Sequence, residues 1–575
     1  MKVMLLFKVI TLMFCWSIVV HSQTPQLVRG FPLFIEHRSA APIQPVIADI
    51  DGNGLEEVIT TNSSSPHKIF AIQFDASNLP GWPVNINSLA YAIGCGDIDN
   101  DGHLEVVART KQYLYAWKSN GTVVTGFPVT LTTSTNRDPD KTILLYDLDR
   151  NHTLEIITVT YNTIQVHNYN GTIHAGWPKT LSQRYASNPT VGDLDNDGFP
   201  EIVVSDYTPI PIPDSSISYV YVFTADGQLK PHWPILLDSN FISGQSATIV
   251  NIDNDDSLEI IFPSIRLASD TNIVTFEGRI SIYSVSGLRK RQWNSPSTRN
   301  VRDFGEISVG NVNADSNLEL CATIYSSETY VFDSFGRVLP GWPYPGITAF
   351  YGTPILVDID NDTVPEIFVN HSTSYPDSGL IFAFYPNGEQ LRWSPLSTYG
   401  NTSLTKPLFN DLNKDGSIEM VLLTIIPPDS IGGNEKMALS VYTFPGAHFT
   451  KKGSPWPQLE HDRQNTFQYG YIPSDNVVSV PAFEDNPLQF SLSQNYPNPF
   501  NPKTAIGFSL LAVSNVTLKV YDILGKEVVT LIHNELMDAG KHEVTFDGSD
   551  VPSGIYYYRL TAGKFTETKK FVVVR

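Results

Sequence analysis

One nine-residue pattern occurs eight times in this 575-residue chain, with starts 46 to 60 residues apart, and no other feature limits the fold as tightly. Positions 1, 3 and 5 are Asp or Asn, position 9 is Glu, and positions 2 and 10 are apolar. The copies begin at Asp49, Asp97, Asp147, Asp193, Asn251, Asn311, Asp358 and Asp411. A short β-type run precedes each copy (45–48 in the first), a second follows directly (58–61), and a third comes after a turn (68–72). A fourth carries an aromatic residue before proline, at Trp82-Pro83, Phe127-Pro128, Trp177-Pro178, Trp233-Pro234, Trp342-Pro343 and Trp456-Pro457, with looser versions at Trp293 and Trp393. Four short strands cannot bury both faces of their own sheet, whereas sheets packed around a ring can. The repeat therefore predicts an all-β, eight-bladed β-propeller over residues 25–470, with seven blades as the alternative. Gly30-Phe31-Pro32 is an extra aromatic-Pro copy, expected to add a strand that closes the ring against the last blade.

The repeated loop is rich in hard oxygen ligands. Side chains at positions 1, 3 and 5 point inward from one tight turn, and the position-9 Glu closes the cage. The expected ligands are Asp49, Asp51, Asn53 and Glu57; Asp97, Asp99, Asp101 and Glu105; Asp147, Asp149, Asn151 and Glu155; and Asp193, Asp195, Asp197 and Glu201. To these are added Asn251, Asp253, Asp255 and Glu259; Asp358, Asp360, Asp362 and Glu366; and Asp411, Asn413, Asp415 and Glu419. None is His or Cys, so zinc and copper fit poorly and several structural Ca2+ ions fit best. Glycine at position 6, which permits a positive φ, is present in the copies at Asp49, Asp97, Asp193 and Asp411. His152 and Thr363 replace it in two others, and Asp256 and Ser316 in the copies beginning at Asn251 and Asn311. The Asn311 copy has the fewest charges and is the weakest candidate. The alternative is that the Asp and Asn side chains merely cap the turn through hydrogen bonds.

With these residues in view, the repeats resemble the FG-GAP or VCBS type of integrin α-subunit propellers. The resemblance implies a calcium-binding propeller that acts as a binding or adhesion module. Loop position follows from alternating strand direction, and places the longer connections, at 206–218, 263–278, 370–379 and 427–436, on the face opposite the metal loops. Charged inter-blade residues Arg137, Asp138, Asp140, Lys141, Arg299, Arg302 and Asp303 fall on that face too. It is the expected seat of an extracellular protein or polysaccharide ligand. The recurring tryptophans read as packing elements.

The two ends have different characters. Lys2 and Lys8 precede and begin an uncharged apolar run, 9–20, and a small residue, Ser22, stands before Gln23. Residues 1–22 thus read as a secretory signal peptide, and no later segment is long and apolar enough to span a bilayer as a helix. Residues 471–487 read as a linker. Residues 488–575 alternate as short strands of a small antiparallel β-sandwich. This stretch resembles the C-terminal sorting domain of the type IX secretion system, through 494–502 (QNYPNPFNP), 520–525 (VYDILG), 553–557 (SGIYY) and Lys569-Lys570 before Phe571. The resemblance implies engagement with that secretion machinery and a secreted or outer-surface protein.

A formal charge of −21 argues against a nucleic-acid partner. After signal cleavage two cysteines remain, Cys95 and Cys321, expected as buried apolar residues on strands. No HExxH, GxSxG or GxxxxGK[ST] occurs, so a non-enzymatic function is expected. A polysaccharide lyase or glycosidase on a calcium propeller is the alternative.

Overall fold

The computed structural model describes residues 24–37, 43–131, 143–208, 217–238, 241–296, 305–345, 352–372, 379–402, 406–426, 435–450, 454–457 and most of 491–574. Short gaps interrupt some of these runs, and isolated positions are described between 462 and 468. The expected signal peptide, the 471–487 linker and the charged residues Arg137, Asp138, Asp140, Lys141, Arg299, Arg302 and Asp303 lie outside the described residues. The chain divides into two compact units, Met1–Val478 and Ser479–Arg575. All the described regular structure is β, in small antiparallel sheets.

Among the described residues the first unit contains eight sheets of four or five strands, one for each copy of the pattern. In the first, Val46–Ala48, Glu57–Thr61, His67–Ile72 and Val84–Ile86 pair in chain order. The register at the loop is the same in all eight. The residue before position 1 pairs with the position-9 Glu, as in Ala48↔Glu57, Gly96↔Glu105 and Asn410↔Glu419. The sheets bury apolar side chains against their neighbours in sequence. One cluster joins the first sheet to the second through Ile59, Ala71, Trp82, Val106 and Trp117. Another joins the eighth to the first through Leu423, Leu439, Ile47 and Val58.

The aromatic residue before proline explains much of this contact. Trp82, Trp177, Trp233 and Trp342 are buried, and each indole Nε1 donates to a backbone carbonyl of the next sheet, on Ser119, Ala225, Val285 and Pro386, at 2.7–2.9 Å. The preceding glycine is required by closeness. Gly176 has φ +89°, and a Cβ there would sit 1.9 Å from the carbonyl oxygen of Asp226.

Two expectations are revised. Trp456-Pro457 does not open the fourth strand of the eighth sheet. Leu33–Glu36, which follows Phe31-Pro32, takes that place by pairing with Lys436–His448, from Leu33↔Leu439 to Glu36↔Lys436. With the slot filled by the N-terminal strand, the later segment crosses the first strands instead. Trp456 exchanges backbone hydrogen bonds with Leu356, Pro457 accepts from Phe409, and Pro455 packs on Gly310. Asn465 Nδ2 donates to the carbonyls of Ile93 and Ile143, Thr466 accepts from Val191, and Gln468 bridges Ile249. One short segment thus touches the first strand of the second through eighth sheets. The second revision concerns 263–278, which is no loop. Glu259–Asp270 and Ile273–Tyr283 form a ladder out to Asp270↔Ile273, because β-branched and apolar residues continue the alternation past the sheet.

Cys95 and Cys321 are buried on strands, as expected. The second unit packs a three-stranded sheet (Ser491–Leu492, Lys503–Leu510, Gly540–Asp547) with a four-stranded one (Glu527–Met537, Ser514–Tyr521, Gly554–Ala562, Phe565–Val573). Phe500, Phe508, Phe546, Tyr558 and Phe571 fill the core between them, giving the expected sandwich.

Candidate cation centres

Each nonapeptide loop begins where its first strand ends, and its position-9 Glu lies on the second strand. That Glu is buried in all eight copies. Its Oε2 accepts the backbone N–H of position 2, on Ile50, Ile98, Leu148, Leu194, Ile252, Val312, Ile359 and Leu412, at 2.8–3.1 Å. One oxygen therefore anchors the turn and the other, Oε1, is left for whatever sits in the loop. Oε1 of Glu57 and of Glu155 is buried without a hydrogen-bond partner, and that of Glu105 has its nearest cation, Lys118, at 3.9 Å.

Position 1 has a different role. Asp49 accepts from the backbone N–H groups of Asn53 and Gly54, Asp97 from those of Asp101 and Gly102, and Asp147 from those of Asn151 and His152, at 2.8–3.1 Å. It caps the turn through these bonds, and in the first, second and fourth loops its carboxylate also stands among the converging ligand atoms. Carboxylate oxygens of Asp49, Asp51 and Glu57 lie within 4.8 Å of one another, as do those of Asp97, Asp99 and Asp101, of Asp193, Asp195 and Asp197, and of Asp253, Asp255 and Glu259. In the copy at Asp358, Asp360 accepts from the N–H of Asp362, and Asp358 from those of Asn361 and Thr363. In the last copy Asp411 accepts from Gly416, and Asn413 donates to Asp415.

The backbone explains the loop composition. Position 6 has positive φ at Gly54, Gly102, Gly198 and Gly416, and also at His152 (69°) and Thr363 (75°), which accept the strain that glycine avoids. Position 4 is left-handed too, at Gly52, Asn100, Arg150, Asn196, Ala314, Asn361 and Lys414. Sequence reasoning missed this second requirement, although the excess of Asn and Gly there signals it.

Burial dominates the electrostatics. It pushes the carboxyls of Glu57, Glu105 and Glu155 up to about 8, with the neighbouring aspartates adding to the effect. Glu366 is pushed up to about 9 and Asp360 to about 6, again chiefly by burial. Glu201, Glu319 and Glu419 rise to about 7.

The loops differ in what meets this charge, which the sequence reading did not anticipate. Lys290 Nζ touches Asp253, Asp255 and Glu259 at 2.9, 2.7 and 2.7 Å. Lys230 Nζ touches Asp195 and Glu201 at 2.6 and 2.7 Å. Lys118 reaches Asp101 at 2.7 Å and Asp99 at 3.4 Å. In the Asn311 copy the Asn313 amide donates to Glu319 Oε1 at 3.0 Å. Lys230 is the residue whose carbonyl accepts the Trp233 N–H in the turn before the aromatic strand, and Lys290, two residues past Leu288 as Lys230 is past Gln228, stands at the matching place in the fifth sheet. Val28, Leu79, Val124, Leu339 and Leu391 hold that place elsewhere, and His174 in the third sheet. The loops are also tied to each other: position-8 N–H groups of Leu154, Leu258 and Glu56 donate to the position-2 carbonyls of Ile98, Leu194 and Leu412. Lys414 of the last loop pairs with Glu56 of the first at 2.5 Å.

Among the described residues, the ends of the sheets away from the loops carry basic and aromatic clusters, one of them around Phe241. Arg279 lies 3.7 Å and Arg266 5.3 Å from the ring centre of Phe241. Both guanidinium groups are paired, Arg279 with Asp238 at 2.6 Å and Arg266 with Glu277 at 2.7 Å.

Comparison with known proteins bears on both units. The FG-GAP-like repeat family matches residues 147–204, and the secretion system C-terminal sorting domain matches residues 494–574. No curated protein matches the chain. Among solved structures, the V. cholerae biofilm matrix protein Bap1 is similar at 13% identity and TM-score 0.39, over 79% of this chain and 96% of that one. BBS1N, solved in complex with ARL6DN, is similar at 10% identity and TM-score 0.35, over 72% of this chain and 98% of that one. The chain thus carries an FG-GAP-like repeat in its first unit and a type IX secretion C-terminal sorting domain in its second, and is a secreted or outer-surface protein.

Proposed function

We propose that the first unit is a closed eight-bladed β-propeller, stabilised by calcium in a subset of its loops, that acts outside the cell as a binding and adhesion module without catalysing a reaction. The closed ring is supported by the apolar cluster and the Glu56–Leu412 hydrogen bond that join the eighth sheet to the first. It is supported too by the single segment that meets the first strands of seven sheets. The observation that carries calcium is the buried, unpartnered Oε1 of Glu57 facing Asp49 and Asp51. Such an oxygen needs a cation or a proton, and an oxygen-only donor set selects calcium. The loops at Asp49, Asp358 and Asp411 take the ion, since no lysine, arginine or histidine among the described residues forms an ion pair with their Asp or Glu ligands. Lys118, whose side chain is 40% exposed, yields to calcium at the Asp97 loop.

Equilibrium dialysis of the mature protein against calcium tests this. Glu57→Gln and Glu366→Gln are each expected to remove about one bound ion. Unchanged stoichiometry in both would end the calcium reading. Adhesion is tested by pull-down and glycan-array screening of the calcium-loaded protein. Retention of no protein or polysaccharide would overturn it.

The lysine-filled loops give a second check. Lys290→Met leaves three carboxylates around an empty centre. The expected loss in metal-free buffer is about 2–3 kcal/mol, below the ~3–5 kcal/mol of a fully buried pair because Asp255 is half exposed. Adding calcium should restore most of it in the variant, as read by thermal melting, because the freed oxygens form a new oxygen site.

A further inference from the structure

The third loop differs from its siblings in one donor. We propose that Asp149, Glu155 and His174 form a site for a divalent transition ion of the zinc class, distinct from the calcium loops. Ligand atoms of the three side chains lie within 4.8 Å of one another. Glu155 is fully buried, and its Oε1 has no hydrogen-bond partner. His174 is 7% exposed; its Nδ1 stands 3.9 Å from that oxygen and donates to Asn168 Oδ1 at 2.8 Å, so the lone pair for a metal is on Nε2, or on Nδ1 once Asn168 is displaced. Asn168 in turn donates to Thr172 at 2.9 Å, so the imidazole is held by a fixed partner.

Asp149 also accepts the Asn151 N–H at 3.2 Å, and the loop's other side chains are held by more bonds. Asp147 accepts two backbone N–H groups, and Asn151 Oδ1 accepts from Thr153 at 2.7 Å. What faces the centre is two carboxylates and one imidazole. Imidazole is a poor ligand for calcium and a good one for zinc, which accepts mixed nitrogen and oxygen sets. His174 sits where two other sheets place an ammonium, on Lys230 and Lys290, and five place an apolar residue. At this position a lysine neutralises two loops, an apolar residue leaves five to calcium or to groups elsewhere such as Lys118 and Asn313, and here a histidine helps to bind a metal.

The test uses the mature, untagged protein, stripped of metal, saturated with calcium, then titrated with Zn2+ and, in parallel, with Co2+ followed by visible absorption. One tight Zn2+ site and a Co2+ ligand-field band are expected. His174→Leu installs the residue type of Leu79 and Leu339 and should weaken Zn2+ binding about 100-fold or more and abolish the band, because removing a ligand exceeds the ~10–100-fold cost of losing an outer partner. His174→Gln, which keeps a polar side chain beside Asn168, should lose the site equally, so misfolding of one variant does not decide the outcome. His152→Gly, which replaces the exposed histidine of the same loop, should retain it. Zn2+ binding that persists in both His174 variants, or that vanishes in His152→Gly, overturns the proposal. Calcium-dependent melting stays with the loops at Asp49, Asp358 and Asp411 under every outcome, so failure here is distinguishable from failure of the calcium reading.

Discussion

Stripping the mature protein of divalent cations at pH 8 is expected to lower its unfolding temperature by about 4–8 °C, and calcium alone should restore it. Extracellular sites of this kind bind in the ~10⁻⁴–10⁻³ M range, so about 10 mM calcium stabilises each occupied loop by roughly 1.4–2.7 kcal/mol. The three loops without a lysine, at Asp49, Asp358 and Asp411, then contribute about 4–8 kcal/mol, the Asp97 loop adding little because Lys118 competes there. In a unit of this size one kcal/mol corresponds to about 1 °C, because the unfolding entropy grows with chain length. Calorimetry with and without a chelator reads the shift directly. An unchanged melting temperature would remove calcium from the account of the fold.

The same loops fix how the metal-free protein responds to pH. Glu57, Glu105 and Glu155 have folded-state values near 8, and Glu366 near 9, against an ordinary carboxyl of 4.5. Between those limits the folded chain holds protons that the unfolded chain has released. Folding stability therefore falls as pH rises from about 4.5 to about 8–9, and levels off above. A bound cation replaces the proton, so the calcium-loaded protein should show a smaller decline, left chiefly by Glu155 of the loop that calcium does not fill. Melting in metal-free buffer at pH 5 and at pH 8 separates the two. Higher stability at pH 8 would contradict the burial of these carboxyls.

The eight sheets were legible because the position-9 Glu is both a loop anchor and the start of the recurrent second-strand register. The aromatic-Pro motif was legible for a similar reason, since Trp82 and Trp177 repeat one contact with the next sheet. What sequence reading missed depends on distance along the chain. Lys118, Lys230 and Lys290 lie 17, 35 and 37 residues from the aspartates they neutralise, and nothing local marks them as part of those loops. The crossing segment was hidden for another reason. Asn465 and Gln468 act through single hydrogen bonds to separate strands, so they carry no periodicity, while Trp456-Pro457 imitates a strand opening that Phe31-Pro32 already supplies.

Removing residues 488–575 is expected to abolish release from the cell while leaving the first unit folded. The two units have separate apolar cores. No described residue of the second unit belongs to the clusters that join the eight sheets, and Phe500, Phe546 and Phe571 pack among themselves. The sorting function therefore resides in a part that can be lost without disturbing those clusters. Phe571→Ala supplies a finer version of the experiment. Phe571 is fully buried, and its truncation should cost about 3–5 kcal/mol, enough to unfold a small sandwich of this size. If the machinery reads the folded domain, this variant should stay cell-associated like the deletion, and if it reads only the linear motif at 494–502, the variant should still leave. Fractionation of cells and medium with an antibody to the first unit distinguishes these results. Recovery of the deleted form outside the cell in normal amounts would show that export does not depend on the second unit.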